Sequence, residues 1–263
     1  MILKTQYDGS SFFELLKVDY PHLLPTYRSD PTLLSEDSVS IPHGTTILAL
    51  RYQNGVLIAG DRRAIEGPQI SSRTMEKVYK TDDYSAMAIA GAAGPAIDMA
   101  RLFQVELEHY EKLEGERLTL EGKANRLAQM IRQNLPAAFQ GLIVIPIFAG
   151  YDLKRKEGRI FKYDVVGGKY EEEEFYATGS GGKDARNTMK KLYRRGLQEE
   201  EALKVALEAL IDASEEDVGT GGPDLVRGIY PTVKKITEQG IMDVPETTVA
   251  SICKAIIESR KNQ

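Results

Sequence analysis

The 263-residue chain has no tryptophan, one cysteine and three histidines. With Cys253 alone, no intrachain disulfide can form, and a reducing compartment is comfortable. Cys253 falls in a predicted helix and reads as a packing residue, not a nucleophile. His22, His43 and His109 are too few and too scattered for a multi-histidine metal site, and they are poor material for a Ser-His-Asp triad. His109, in a charged helical stretch, is expected on the surface. No apolar run approaches the ~20 residues that span a bilayer. A basic segment leading into an apolar one, as in a secretory signal, is also missing from the N-terminus. These absences predict a cytoplasmic protein. No strong charge of either sign is present: the net charge is −5. Nothing in it suggests nucleic acid or an anionic membrane as partner.

Proline is present but unevenly placed. Residues 1–44 hold Pro21, Pro25, Pro31 and Pro42, four of the eleven prolines. They also carry Lys4, Lys17 and Arg28 against Asp8, Glu14, Asp19, Asp30, Glu36 and Asp37, a net −3 of the total −5. Ser11-Phe12-Phe13-Glu14 has capping-box spacing before Leu15 and Leu16, which predicts one short helix. The rest of this stretch reads as extended or disordered.

From Thr45 the pattern changes to strands. Residues 46–52 and 55–59 flank a Gln53-Asn54 turn with Asn-Gly chemistry, and their near-continuous apolar residues predict strands covered on both faces. Residues 77–81 and 84–91 form a second predicted hairpin about Asp82-Asp83. Gly94-Pro95 then starts a helix with Met99, Leu102, Phe103 and Leu107 as its apolar stripe. Thr119 caps a second helix, with Leu120, Ala124, Leu127, Ala128, Ile131, Leu135 and Ala138 on one face. Strands are predicted at 142–151, 159–163 and 170–178, with the Glu171–Glu174 run as a solvated edge or turn. Helices follow at about 185–193 and 199–213. A last hairpin spans 229–237 and 240–243, and Pro245 leads into a final helix. Strands and helices alternate in blocks, which predicts α+β layering and not a βαβ parallel sheet.

Gly44-Thr45-Thr46-Ile47 alone reads as the start of a buried strand. Cleavage of the Gly44–Thr45 bond would instead expose Thr45 as an N-terminal residue. Its hydroxyl could then attack a carbonyl while its own α-amine, titrating near ~8, takes the proton. Asp61, in Gly60-Asp61-Arg62-Arg63, lies sixteen residues on, and Lys77 lies sixteen beyond that. A carboxylate and an ammonium beside Thr45 would ease removal of the hydroxyl proton.

On the Gly44-Thr45 junction, the Gly-Asp-Arg-Arg motif and Lys77, the chain resembles the proteasome β-subunits of the N-terminal-nucleophile hydrolases, of actinobacterial type. The resemblance runs from Gly44 almost to the C-terminus. It implies a four-layer αββα sandwich, with residues 1–44 as a propeptide and 45–263 as the catalytic domain. It also implies a threonine endopeptidase with Thr45, Asp61 and Lys77 at its centre and Gly91 as oxyanion donor. Asp217 and Thr220, from the family's Asp-x-x-Ser/Thr-Gly motif, would hold the amine and a water, with Ser180 as their neighbour. The positions that correspond to the S1 pocket are Ala64, Met75, Tyr79, Ile89, Ala93 and Ile97. All are apolar or aromatic, which favours an apolar P1 residue. Ile65 stands where the family usually has Thr; its backbone can still pair with an extended peptide.

The implied partners are α-subunits, further copies of the chain in heptameric rings forming a 14 α + 14 β barrel, an ATP-dependent unfolding ring and unfolded polypeptides. No cofactor or metal is expected, and Gly179-Ser180-Gly181-Gly182 lacks the Lys-Ser/Thr of a phosphate cradle. Three alternatives stand beside this reading. They are a simpler two-ring bacterial threonine peptidase, a non-catalytic ring subunit that only shapes a chamber, and a cytosolic amidohydrolase of the same superfamily. The leader and Gly221-Gly222-Pro223-Asp224 disfavour the first, the intact Gly44, Thr45, Asp61 and Lys77 the second, and the Thr nucleophile the third.

Overall fold

The computed structural model describes residues 44–261. The helix expected at Ser11–Glu14 lies outside them. Two five-stranded antiparallel sheets stack face to face. The first is built from β1 (Thr46–Tyr52), β2 (Gly55–Gly60), β10 (Phe175–Gly179), β11 (Thr232–Thr237) and β12 (Gly240–Asp243), in the order β10-β1-β2-β11-β12. The second runs β5 (Val78–Asp82), β6 (Ser85–Gly91), β7 (Val144–Asp152), β8 (Glu157–Tyr163) and β9 (Lys169–Glu172). A separate hairpin, β3 (Ala64–Glu66) with β4 (Gln69–Ser72), was not expected.

Three apolar layers follow from strand alternation, because successive side chains leave opposite faces of a sheet. Ile47, Ala49, Val56 and Ile58 point into the space between the sheets, where Ala86, Ala88, Ile147 and Ile160 meet them. Leu48, Leu50, Leu57 and Ala59 point the other way, onto α4 (Gly182–Leu192), α5 (Glu199–Glu216) and α6 (Glu246–Lys261). Met87, Ile89, Phe148 and Phe161 cover the far side of the second sheet beneath α1 (Ala93–Glu114) and α2 (Leu120–Gln133). The layering is therefore helix, sheet, sheet, helix, as expected.

Several helix ends are closed by local caps, of which Thr119 was expected. The Thr119 hydroxyl accepts the Gly122 N–H at the start of α2. Gln198 and Glu201 form a capping box on α5. Gly115, at φ 71°, closes α1 with its N–H on the Glu111 carbonyl. α1 begins at Ala93, two residues ahead of Pro95. α2 stops at Gln133, so Leu135 and Ala138 fall in a separate short turn, α3 (Leu135–Ala138), that begins around Pro136.

Two further expectations are corrected. Leu102 is 53% exposed, because Met99, Phe103 and Leu107 repeat every fourth residue and leave Leu102 beside the stripe. The predicted strand 170–178 is two strands in different sheets, with the crossing at Glu173-Glu174. The Glu171–Glu174 run is the solvated strand edge and turn that was expected, on the outer strand β9 and the bend after it, and its carboxylates are paired. Glu171 takes a two-pronged bond from Arg159, which is 2% exposed and also reaches Glu121 and Asp152. Glu172 pairs with Lys162, and Glu173 and Glu174 pair with Arg195. Cys253 is buried as expected, and burial pushes its thiol up to about 12. His109 is exposed.

Arg159 ties α2, the β7–β8 turn and β9 together. Its three carboxylate partners keep some contact with water, and this softens the loss when the guanidinium is removed. Arg159→Met is expected to cost about 2–4 kcal/mol in a urea titration of the purified subunit, with Arg159→Lys losing less than half of that.

Candidate active site

Strand register brings the predicted residues together. Ile47 pairs with Gly60 and Thr46 with Gly179, so the start of β1 lies between the end of β2 and the end of β10. Thr45 immediately precedes β1, Asp61 immediately follows β2, and Ser180 immediately follows β10. Lys77 precedes β5 in the other sheet and reaches across. Asp217 ends α5, and Thr220 follows three residues later.

Asp61 is fully buried and accepts four hydrogen bonds. Thr46 N–H (2.8 Å) and Lys77 Nζ (2.7 Å) meet Oδ1; Arg63 N–H (2.9 Å) and Gly221 N–H (2.8 Å) meet Oδ2. Four donors and no acceptor fit only a carboxylate. Lys77, 3% exposed, donates to Asp61, to the Arg63 carbonyl (2.6 Å) and to the Gly44 carbonyl (3.2 Å). Three oxygen acceptors use all three protons of an ammonium. Burial pulls the Lys77 pKa below its ordinary value, and Asp61 opposes that shift.

Gly44 is part of this cluster. The Thr45 hydroxyl donates to the Gly44 carbonyl at 2.6 Å, and Lys77 approaches the same oxygen. No side chain fits at position 44, since a Cβ there would lie 2.6 Å from Gly219 Cα and 2.8 Å from Ile65 Cγ1. On the other side, Thr45 N–H donates to Ser180 Oγ at 3.2 Å, and Ser180 donates to Asp217. Thr220 Oγ also donates to Asp217, so its 2.6 Å contact with Thr46 Oγ has Thr46 as the donor. Thr46 Oγ in turn accepts Gly181 N–H at 3.1 Å. Two chains of hydrogen bonds thus converge on one carboxylate, and one of them begins at the Thr45 nitrogen.

The other predicted residues form the surroundings. Gly91 ends β6 at φ 121°, and a Cβ there would meet the Ile143 carbonyl at 2.0 Å, so the position demands glycine. Ala64 and Ile89 are buried, while Ile65, Met75, Tyr79, Ala93 and Ile97 are half-buried. Tyr79 and Ile89 belong to the layer beneath α1, and Ala93 and Ile97 stand one turn apart at its start.

Sequence reasoning missed Thr46, Arg63 and Gly221. Thr46 looked like an ordinary strand residue, and Arg63 and Gly221 contribute backbone groups that side-chain types cannot reveal. Among the described residues no cluster of His, Cys, Asp and Glu could hold a metal ion, and no helix is long and apolar enough to cross a membrane.

A proteasome subunit family model matches residues 41–226. The chain is 52% identical over 255 residues to the proteasome subunit beta of Streptomyces griseus, covering 97% of this chain and 90% of the relative. It is 54% identical over 244 residues to that of Acidimicrobium ferrooxidans, covering 93% and 88%. It is also 52% identical over 266 residues to that of Rhodococcus opacus, covering 97% and 90%. With the four-layer fold and the Thr45 cluster, these matches place the chain in the proteasome subunit family as a β-subunit of the 20S core, the subunit type that carries its threonine endopeptidase activity.

Proposed function

We propose that residues 1–44 are a leader that this subunit removes from itself, and that Thr45 then cuts polypeptides. The observation that carries the proposal is the Gly44 carbonyl, held between the Thr45 hydroxyl at 2.6 Å and the Lys77 ammonium at 3.2 Å. The cation polarises the scissile carbonyl and stabilises the negative charge that develops on its oxygen. Thr45 Oγ adds to the Gly44 carbon, and its proton passes to the Thr45 nitrogen as the C–N bond breaks. This leaves an ester on Oγ beside a free amine. Water then hydrolyses the ester and releases the leader with Gly44 as its C-terminal carboxylate.

The freed amine is the general base for later substrates. An α-amine near ~8 is partly unprotonated at neutral pH, whereas a lysine near ~10 is not. Asp61 holds the Lys77 ammonium in place, and that ammonium, facing the carbonyl that Thr45 Oγ meets, favours negative charge developing there. Ser180, Asp217 and Thr220 orient the amine, and Gly91 N–H serves as oxyanion donor at the end of β6. In a substrate complex the peptide lies as an added strand along Ile65, whose hydrocarbon side chain cannot supply the hydroxyl of a threonine. Ala64, Met75, Tyr79, Ile89, Ala93 and Ile97 carry no charge, which favours apolar P1 residues.

Proteasome β-subunits assemble with α-subunits and with copies of themselves in a barrel. For this chain we extend that to heptameric rings, 14 α with 14 β chains. We also propose an ATP-driven unfolding ring as visitor, unfolded polypeptides as substrates and a cytoplasmic location. The buried, singly occurring Cys253 fits a reducing compartment.

Two outcomes test this reading. In assembled particles Lys77→Arg is expected to lose at least ~100-fold in peptidase kcat/KM, because a planar guanidinium cannot donate to three oxygens around one nitrogen. Near-normal turnover in that variant would make Lys77 a purely structural charge. Mixing the subunit with its α-partner is expected to convert inactive chains into a barrel that cuts apolar-P1 peptides, while folded proteins survive unless an ATPase is added. Native mass measurement of an active monomer or dimer would contradict confinement.

A further inference from the structure

Thr46 is bonded into both sides of the site. Its backbone N–H donates to Asp61 at 2.8 Å, while its fully buried side chain works on the other side. There its hydroxyl donates to Thr220 Oγ at 2.6 Å and accepts Gly181 N–H at 3.1 Å. Thr220 donates in turn to Asp217. Ser180, the residue before Gly181, donates to the same Asp217 oxygen and accepts Thr45 N–H.

The two threonine hydroxyls meet directly. A Cβ at Gly181 would lie 2.6 Å from Thr46 Oγ and 2.8 Å from Thr220 Oγ, so the pair packs against bare backbone. One buried hydroxyl therefore pins the turn that carries Ser180 and the loop that carries Asp217 and Thr220. A hydroxyl that receives a hydrogen bond is a stronger donor to its own acceptor, so the Thr46 proton strengthens the bond from Thr220 to Asp217.

We infer that Thr46 is a positioning residue for the reaction. Its hydroxyl, acting through Thr220 and the Gly181 turn, holds Asp217 and Ser180 where they orient the Thr45 nitrogen as base. The inference rests on Thr45 as nucleophile, and it adds a residue whose hydroxyl bonds to Thr220 and Gly181 and not to Thr45 or Gly44.

The charged groups around Thr45 are Asp217 behind Ser180, and Asp61, Lys77 and Arg63 on the side of β2 and β5. Replacing the Thr46 side chain leaves the second set alone, because Asp61 takes only the Thr46 backbone N–H. Asp217 keeps Ser180 but receives a weaker bond from Thr220. Less of its negative charge is then drawn off, and a nearby negative charge favours the protonated amine. The acid limb of activity therefore moves to higher pH.

The test uses assembled particles of wild type, Thr46→Val and Thr46→Ser, an apolar-P1 peptide, and intact mass to confirm a chain beginning at Thr45. Thr46→Val keeps the shape and loses the hydroxyl. The acid limb of its kcat/KM is expected ~0.5 higher in pH than that of wild type. For an amine near ~8 this lowers kcat/KM about threefold near pH ~7 and hardly at all near pH ~9.5. Thr46→Ser, which keeps the hydroxyl, should return the limb to its wild-type position. In a Thr220→Val background, where the relay is already cut, Thr46→Val should add less than about half of that displacement. Thr46→Ala is read in the same way if Thr46→Val does not assemble, and failure of both to assemble would make the hydroxyl a requirement of folding and overturn the inference. Superposed profiles for wild type and Thr46→Val would overturn it as well. So would an equal loss at every pH, a displacement retained in Thr46→Ser, or one undiminished beside Thr220→Val. A wild-type chain left uncut at Gly44–Thr45, or peptide cleavage by Thr45→Ala particles, would instead count against Thr45 as nucleophile, so the two failures are distinguishable.

Discussion

The Asp61–Lys77 ion pair, 2.7 Å long and closed to water, is the interaction on which the site depends. Its carboxylate comes from the end of one sheet and its ammonium from the start of the other. Two buried charges are expensive unless every lone pair and proton is used. Here they are used: Asp61 takes two further backbone N–H groups beside Thr46 and Lys77, and Lys77 takes two carbonyls beside Asp61. The pair thereby fixes the start of β1, the Arg63 turn and the Gly221 loop in one geometry. One of those carbonyls belongs to Gly44, so the same charge that holds the sheets in register also faces the bond before Thr45.

The two sheets repeat one local device. Gly179 at the end of β10 and Gly91 at the end of β6 both have positive φ, and each opposes the first residue of a neighbouring strand, Thr46 and Val144 respectively. In each case a Cβ on the glycine would meet the preceding carbonyl at 2.0 Å, and the next residue's N–H donates to that carbonyl at 2.9 Å or 2.8 Å. Only glycine lets a strand turn so closely against its neighbour before a helix begins. One copy brings Ser180 to Thr45. The other delivers Gly91 at the mouth of α1. Sheet architecture and site chemistry are therefore parts of one arrangement, and the pieces of the site lie far apart in sequence.

Much of this was legible from residue types. Fully apolar β1 and β2 required cover on both faces, and Gly44, Thr45, Asp61 and Lys77 carried enough chemistry to mark the site. What escaped was of two kinds. Short exposed elements such as β3–β4, with Gln69 and Ile70 facing water, have no apolar alternation to reveal them. Four consecutive glutamates, Glu171–Glu174, carry no alternation across the crossing, so residue type does not reveal the change of sheet. The second kind is tertiary: Arg159 beneath its carboxylates, Thr46 bridging Thr220 and Gly181, and the backbone of Gly221 on Asp61. These bonds depend on which loops meet, and side-chain type does not report that.

The central claim is that the chain cuts its own Gly44–Thr45 bond with the Thr45 hydroxyl. Its most direct test is the intact mass of the β chain from particles assembled from purified components, wild type beside Thr45→Ala. The account predicts a wild-type chain that begins at Thr45 and a Thr45→Ala chain that keeps residues 1–44. A Thr45→Ala chain trimmed to residue 45 in the same mixture would contradict it.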